Sequence, residues 1–123
     1  MTTMSTAKKY VELCKANKNQ EILETLFSPD CVSLEAGAPP GTSPESRGVR
    51  AIAEKGKTWM EAHEVHSHAV DGPWPNGDRF IVRFTYEVTN KPSGRRFKMD
   101  EAALLTVEND KIVREEFFYS MES

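Results

Sequence analysis

The hydropathy of this chain changes period once, near Glu64, and that change restricts what it can fold into more than any other feature. Before it, apolar residues recur three and four apart. After it they alternate, and turn-forming clusters interrupt them at Pro75-Asn76-Gly77-Asp78, Pro92-Ser93-Gly94 and Glu108-Asn109-Asp110. A period near 3.6 lays one apolar stripe along a helix, whereas a period of two gives a strand one buried face. Helices followed by an antiparallel meander of four strands define an α+β domain with the helices packed on one face of the sheet. Asn76-Gly77 is the strongest turn signal, because a two-residue hairpin turn favours positive φ at both central positions.

In the helical half, Ser5 is placed to cap a first helix carrying Ala7, Tyr10, Val11 and Cys14, which ends near Asn17. Asn19 can cap a second, short helix through Ile22, Leu23, Leu26 and Phe27, stopped by Pro29. Cys31 to Ala36 reads as a short strand. Gly37 to Arg47 contains Pro39, Pro40, Gly41 and Pro44, has no periodicity, and reads as a loop long enough to rim a pocket. A third helix from about Val49 is expected to bury Ile52, Trp59 and Met60, with His63 capping its C-terminal end. Nothing repeats and no composition break divides the chain, so residues 1–123 are expected to form a single domain. A domain of this size buries roughly two-thirds of its unfolded surface.

Composition excludes several partners. The net charge is −3 with the signs mixed; Lys8, Lys9, Lys15 and Lys18 lie on the first helix and Arg95, Arg96 and Lys98 at one turn, without the interleaved aromatics that stack bases. No nucleic-acid partner is expected. No apolar run approaches the ~20 residues of a membrane span, and the polar stretch from Met1 to Thr6 lacks the pattern of a secretory leader. Cys14 and Cys31 fit no metal or redox spacing and read as buried free thiols of a reducing compartment, with the cytoplasm as the expected location.

Alternation assigns the faces of the strands. Phe80, Val82, Phe84 and Tyr86 form a core face, and the same rule turns Met99, Glu101, Ala103, Leu105 and Val107 inward, then Val113, Glu115, Phe117 and Tyr119. His66, His68 and Val70 share a face on the preceding strand. The inner wall therefore holds Glu101, Glu115, His66, His68, Tyr86 and Tyr119 among its apolar residues. A lone buried carboxylate costs several kcal/mol, so such groups either neutralise one another or line a wet cavity. Ile81, Ala102, Leu104 and Phe118 make the outer face partly apolar, which predicts a homodimer covering it.

The order of elements, Tyr10-Val11-Glu12-Leu13, the Phe27-Ser28-Pro29-Asp30-Cys31-Val32 passage, Asp71-Gly72-Pro73 and the run from Gly94 to Tyr119 resemble the nuclear transport factor 2-like superfamily, in its SnoaL-like polyketide cyclase and ketosteroid isomerase branch. The resemblance implies a cone-shaped α+β barrel, three N-terminal helices on a curved antiparallel sheet enclosing a pocket. It implies Tyr10 as hydrogen-bond donor to a dienolate oxygen and Glu35 as general base. The branch's protonated aspartate would fall on Ala103, which cannot donate, and Glu101 lies one step along the same face. For Glu35 pattern and resemblance conflict: alternation turns Val32 and Leu34 inward, the resemblance turns Glu35 inward, and the latter is adopted because bulges are frequent beside long loops.

Together these readings predict a pocket for a small hydrophobic or carbonyl-containing molecule. Proton transfer beside a carbonyl would use Glu35 or Glu101 as base, Tyr10 as oxyanion donor and His66 as acid or tuning group. Trp59, His68, Phe84, Tyr86, Glu115, Phe117 and Tyr119 would bind the ligand, with Trp74 among the aromatics shaping the cavity. The alternative is a non-catalytic binding or dimerisation domain of the same fold. His66-x-His68 with Glu101 or Glu115 offers metal-ligand chemistry, but no fixed spacing joins them, so neither a metal nor a cofactor is expected.

Overall fold

A computed structural model describes residues 2–120; Met1 and the last three residues of the single-domain span lie outside it. The first helix, α1 (Thr3–Lys15), starts before the expected cap. Thr2 occupies the N-cap, and Ser5 is the third helical residue of a reciprocal capping box, its backbone N–H donating to Thr2 Oγ1 at 3.1 Å. Asn17, at φ +58°, ends the helical path.

Helix α2 (Asn19–Thr25) is shorter than periodicity suggested. Asn19 is its first residue rather than its cap, and Phe27 belongs to strand β1 (Phe27–Leu34). The chain therefore leaves the helix before Pro29 could stop it. The proline-rich loop ends in a three-residue strand, β2 (Glu45–Arg47), followed by α3 (Val49–Ala62). Ile52 is the buried residue of α3, Trp59 is half-buried, and Met60 is 50% exposed, so the expected burial of Met60 is corrected. His63 does close the helix: its Nδ1 lies 2.9 Å from the Trp59 carbonyl, the geometry of a ring N–H donating to a terminal acceptor.

The expected meander is β3 (His63–Asn76), β4 (Arg79–Asn90), β5 (Arg96–Glu108) and β6 (Lys111–Phe118). Two strands extend it into a six-stranded mixed sheet ordered β2-β1-β6-β5-β4-β3, with β1 running parallel to β6. The sheet is open, with β2 and β3 at its edges. Asn76 pairs with Arg79, so Gly77-Asp78 forms the two-residue turn, and of these only Gly77 has positive φ. Positive φ at both central positions occurs instead at Asn109-Asp110.

α1 lies across β3 and β4, and α3 covers β1, β2 and part of β3. Between helices and sheet, Phe80, Val82, Val88, Ala103, Leu105 and Ile112 are fully buried. At the start of β6 a register shift leaves Val113 as the extra residue, so Ile112 fills the core where Val113 was expected. Cys14 and Cys31 are buried free thiols, and burial pushes both up to about 12. Among the described residues no helix is long and apolar enough to cross a membrane.

Candidate functional site

The register of the sheet writes out the inner wall. Ser33 of β1 lies beside Glu115 of β6, which lies beside Leu105 of β5 and then Phe80 of β4. In the next row Phe117 faces Ala103, which faces Val82; one row further Glu101 faces Phe84, which faces Val70. Beyond these, Met99 pairs with Tyr86 and Tyr86 with His68. Polar groups gather at the β1–β6–β5 side and rings at the β4–β3 side.

β1 turns Cys31 and Ser33 inward, leaving Val32 and Leu34 half-buried on the other side. Glu35 follows Ser33 onto the inner wall, so the resemblance predicted its direction and apolar alternation did not. Its Oε1 accepts a hydrogen bond from the Tyr119 hydroxyl at 2.8 Å, and its Oε2 accepts one from Lys55 Nζ at 2.8 Å. The same ammonium donates to Ser33 Oγ at 2.8 Å and sits 5.4 Å above the Phe117 ring. Ser33 in turn hydrogen-bonds the Glu115 carboxyl. A continuous chain, Tyr119–Glu35–Lys55–Ser33–Glu115, runs from the half-exposed end of the site into the core.

Three carboxyl groups and one ammonium in this space set the electrostatics. Burial first, and then the Glu35 charge, pushes Glu101 up to about 7. Burial pushes Glu115, 4% exposed, up to about 7 against the opposing hydrogen bond from Ser33 and the Lys55 charge. A carboxylate leaving water loses solvation that only a partner can replace, and one ammonium cannot serve three. Burial and the neighbouring Glu101 charge raise Tyr86 to about 12. Burial, then Cys14, holds Tyr10 well above the ordinary phenol range, and burial with the Glu35 hydrogen bond does the same to Tyr119. All three phenols are donors at neutral pH.

Tyr10 is not beside Glu35. Its hydroxyl bonds the Cys14 thiol, its ring lies edge-on to Phe80 and Phe84, and its influential carboxylate is Glu115. Trp59 stacks on His63 at 4.3 Å and lies 6.1 Å from Tyr86, which stacks with Phe84 and His68. His66 is corrected. The β3–β4 register shifts between Val65 and Ser67, which rotates His66 to the outer face, where Nε2 meets Thr89 Oγ1 at 2.7 Å. Trp74 is also outside, 53% exposed and paired with Ile81, so it shapes no cavity. Among the described residues no three His, Cys, Asp or Glu side chains are placed to hold a metal ion.

At the ends of β1 and β6 a shallow open recess of about 500 Å³ is lined by Leu34, Glu35, Ala36 and the Glu116–Tyr119 segment. It touches the polar chain at Glu35 and Tyr119 and adjoins the loop expected to form a rim. Sequence reasoning missed Lys55 and Ser33. A signal existed for each: Lys55 lies three residues after Ile52 and four before Trp59, on the apolar stripe of α3, and Ser33 shares the phase of Cys31 and Glu35.

The chain is thus an α+β protein whose three helices and open, curved six-stranded sheet gather carboxylates, phenols and one lysine on a single wall. The sequence profile of the SnoaL-like domain matches residues 1–119, and the chain belongs to that family. It is similar to a Mesorhizobium loti protein of known structure, provisionally named a SnoaL-like polyketide cyclase with "carbohydrate phosphatase" also in its name, at 42% identity and TM-score 0.91, covering 97% of this chain and 100% of that one. A Burkholderia thailandensis NTF2-like protein shares the fold at 18% identity and TM-score 0.82, over 96% and 90% of the two chains. A Bacillus subtilis protein provisionally named an isomerase does so at 17% and 0.75, over 96% and 86%. No curated protein matches.

Proposed function

We propose that this SnoaL-like protein moves a proton next to the carbonyl of a small hydrophobic molecule, in an isomerase- or lyase-type reaction with Glu101 as the proton-carrying group. One observation carries the reading: Glu101, on the inner wall opposite Phe84, is raised to about 7, so it exchanges a proton near neutral pH. Both oxygens of Glu35 are already engaged by Tyr119 and Lys55, so neither is free to approach a substrate carbon without breaking a hydrogen bond. Ala103, fully buried between Val82 and Phe117, cannot donate a hydrogen bond, so the phenols of Tyr10 and Tyr86 would supply the donors for the enolate oxygen.

The test is conversion of 3-cyclohexen-1-one to its conjugated isomer, followed by ultraviolet absorbance, together with deuterium uptake α to the carbonyl. Glu101→Gln is expected to lower the rate at least ~100-fold. A wild-type protein that moves no proton, or an E101Q protein that matches it, defeats the assignment. The second reading, a binding module without chemistry, draws on the ring row Trp59, Tyr86, Phe84 and His68 and expects the ketone to bind without exchange. Either reading accommodates a homodimer through the outer sheet face.

A further inference from the structure

We infer that Lys55 is the positioning residue of the site: through its contacts with Glu35 and Ser33 it fixes which carboxyl carries charge and which carries the proton. This deepens the proton-transfer reading and rests on it for its catalytic meaning, but it concerns a property of the resting protein.

The geometry is specific. Lys55 Nζ reaches Glu35 Oε2 and Ser33 Oγ at the same 2.8 Å, so one ammonium spans an inward side chain of β1 and that of the residue just beyond the strand's end. Its third contact is the Phe117 ring face, which can attract a cation but not take a proton from it. Side-chain exposure of the pair is 33% for Lys55 and 27% for Glu35, low enough for the charge interaction to escape much of the solvent screening. Ser33 accepts from Lys55 and therefore has its hydroxyl hydrogen free to donate, and Glu115 receives it. Lys55 thus orients the donor to the deepest carboxyl of the cluster as well as holding the outermost one.

The groups facing Lys55 come from three strands and their continuations. β1 and the residue after it supply Cys31, Ser33 and Glu35; β5 supplies Glu101; β6 and the residue after it supply Glu115 and Tyr119. The charges of β2, Glu45 and Arg47, pair with each other, and His63 at the start of β3 is turned to the Trp59 carbonyl. In this set Lys55 is the one positive charge opposing three carboxyls. It favours ionisation of Glu101 and Glu115, while Glu35 opposes it. Lys55 bonds Glu35 directly and reaches Glu115 only through Ser33, so the two carboxyls raised by burial, Glu101 and Glu115, are the ones it acts on from a distance.

Carbon-13 NMR of labelled glutamate carboxyls across pH 4 to 10 tests this in wild type, Lys55→Gln and Lys55→Arg. In K55Q the Glu101 and Glu115 transitions are expected to move upward by at least about one pH unit, a tenfold gain in proton affinity, and K55R is expected to bring them back toward wild type. A K55Q titration that overlays wild type, or a K55R titration that follows K55Q, overturns the inference; a lysine that only props α3 on β1 would give the former with a lowered melting temperature. Should K55Q not fold, the wild-type Lys55 Cε resonance decides: a step mirroring the Glu101 and Glu115 transitions supports the coupling, and a flat trace through that range overturns it. These readouts need no turnover, so absence of proton transfer to the ketone probe would remove the reading above without deciding this one.

Discussion

Tyr119 donates its hydroxyl hydrogen to Glu35 Oε1 at 2.8 Å, joining residues 84 positions apart across the parallel β1–β6 junction. Both lie one residue beyond the ends of their strands, so this bond ties together two chain segments that the backbone ladder has just released. Hydrogen bonds to a carboxylate are stronger than neutral ones, but partial exposure reduces the net gain. Tyr119→Phe is expected to cost about 1 kcal/mol, read as a lower urea midpoint with an unchanged slope. No change in midpoint would mean that water replaces the phenol without loss.

The buried carboxyls predict an unusual pH dependence of stability. Glu101 and Glu115 titrate near 7 in the folded chain, above the ordinary 4.5. Between those values the native state holds more protons than the unfolded state, so stability falls as pH rises through that window and stays lower above it. The lowered acids, half-buried Glu87 beside Arg96 and exposed Asp100 beside Arg83, act below this window. The melting temperature is therefore expected to be higher at pH 5.5 than at pH 8. Glu115→Gln should flatten the difference, stabilising the protein at pH 8 by about 1–3 kcal/mol; a profile rising from pH 5.5 to 8 would contradict the burial of charge described above.

Much of this cluster was legible before the fold was known, and the parts that were not have physical reasons. Strict alternation placed Glu101 and Glu115 because β5 and the later part of β6 keep register with their neighbours. It failed for His66 and Val113, where register shifts rotate the pleat, and a bulge leaves no hydropathy mark. It failed for β1 because both faces of that strand are partly covered: Leu34 continues the outer row through Glu116 and Leu104 to Ile81, while Ser33 faces in. Apolar residues therefore sat on the less buried side, and only the family resemblance pointed Glu35 correctly. β1's parallel pairing with β6 was hidden for another reason, since contacts between distant segments carry no local sequence signature. Lys55 was overlooked because a lysine in an apolar stripe can bury its stem and keep its head wet; here the head stays at the site because Glu35 and Ser33 receive it.

That outer row predicts association. Trp74, Ile81 and Phe118 are 53%, 42% and 54% exposed, and Leu104 lies between Ile81 and Glu116 in register. A contiguous apolar strip on a sheet face is costly in water and is commonly covered by a second subunit. Light scattering is expected to give twice the 13.9 kDa chain mass, and Phe118→Lys is expected to give a folded monomer. A wild-type monomer at high micromolar concentration would contradict the covered face.

Two glycines predict opposite effects of one substitution. Gly72 sits where β3 shifts register between Asp71 and Trp74, at φ +116°, and a Cβ there would come within 2.9 Å of the Ile81 carbonyl oxygen and 3.2 Å of the Trp74 ring. The ring could swing away, but the carbonyl belongs to the backbone of the neighbouring strand and can move only by disturbing the β3–β4 ladder. Gly72→Ala is therefore expected to cost about 2 kcal/mol or more from left-handed strain and contact together. Gly56, within α3 and exposed, has no atom within 4 Å of the same added carbon. There Gly56→Ala should stabilise by about 1 kcal/mol, the difference in helix propensity. Gly56 is also the residue after Lys55, so a stiffer α3 should leave the ammonium against Glu35 and Ser33 and raise the melting temperature without moving the carboxyl titrations. Thermal unfolding beside the carbon-13 titration checks both halves: a stabilised G56A protein with displaced Glu101 or Glu115 transitions would show that the helix, and not the lysine's own contacts, sets the charge of the site.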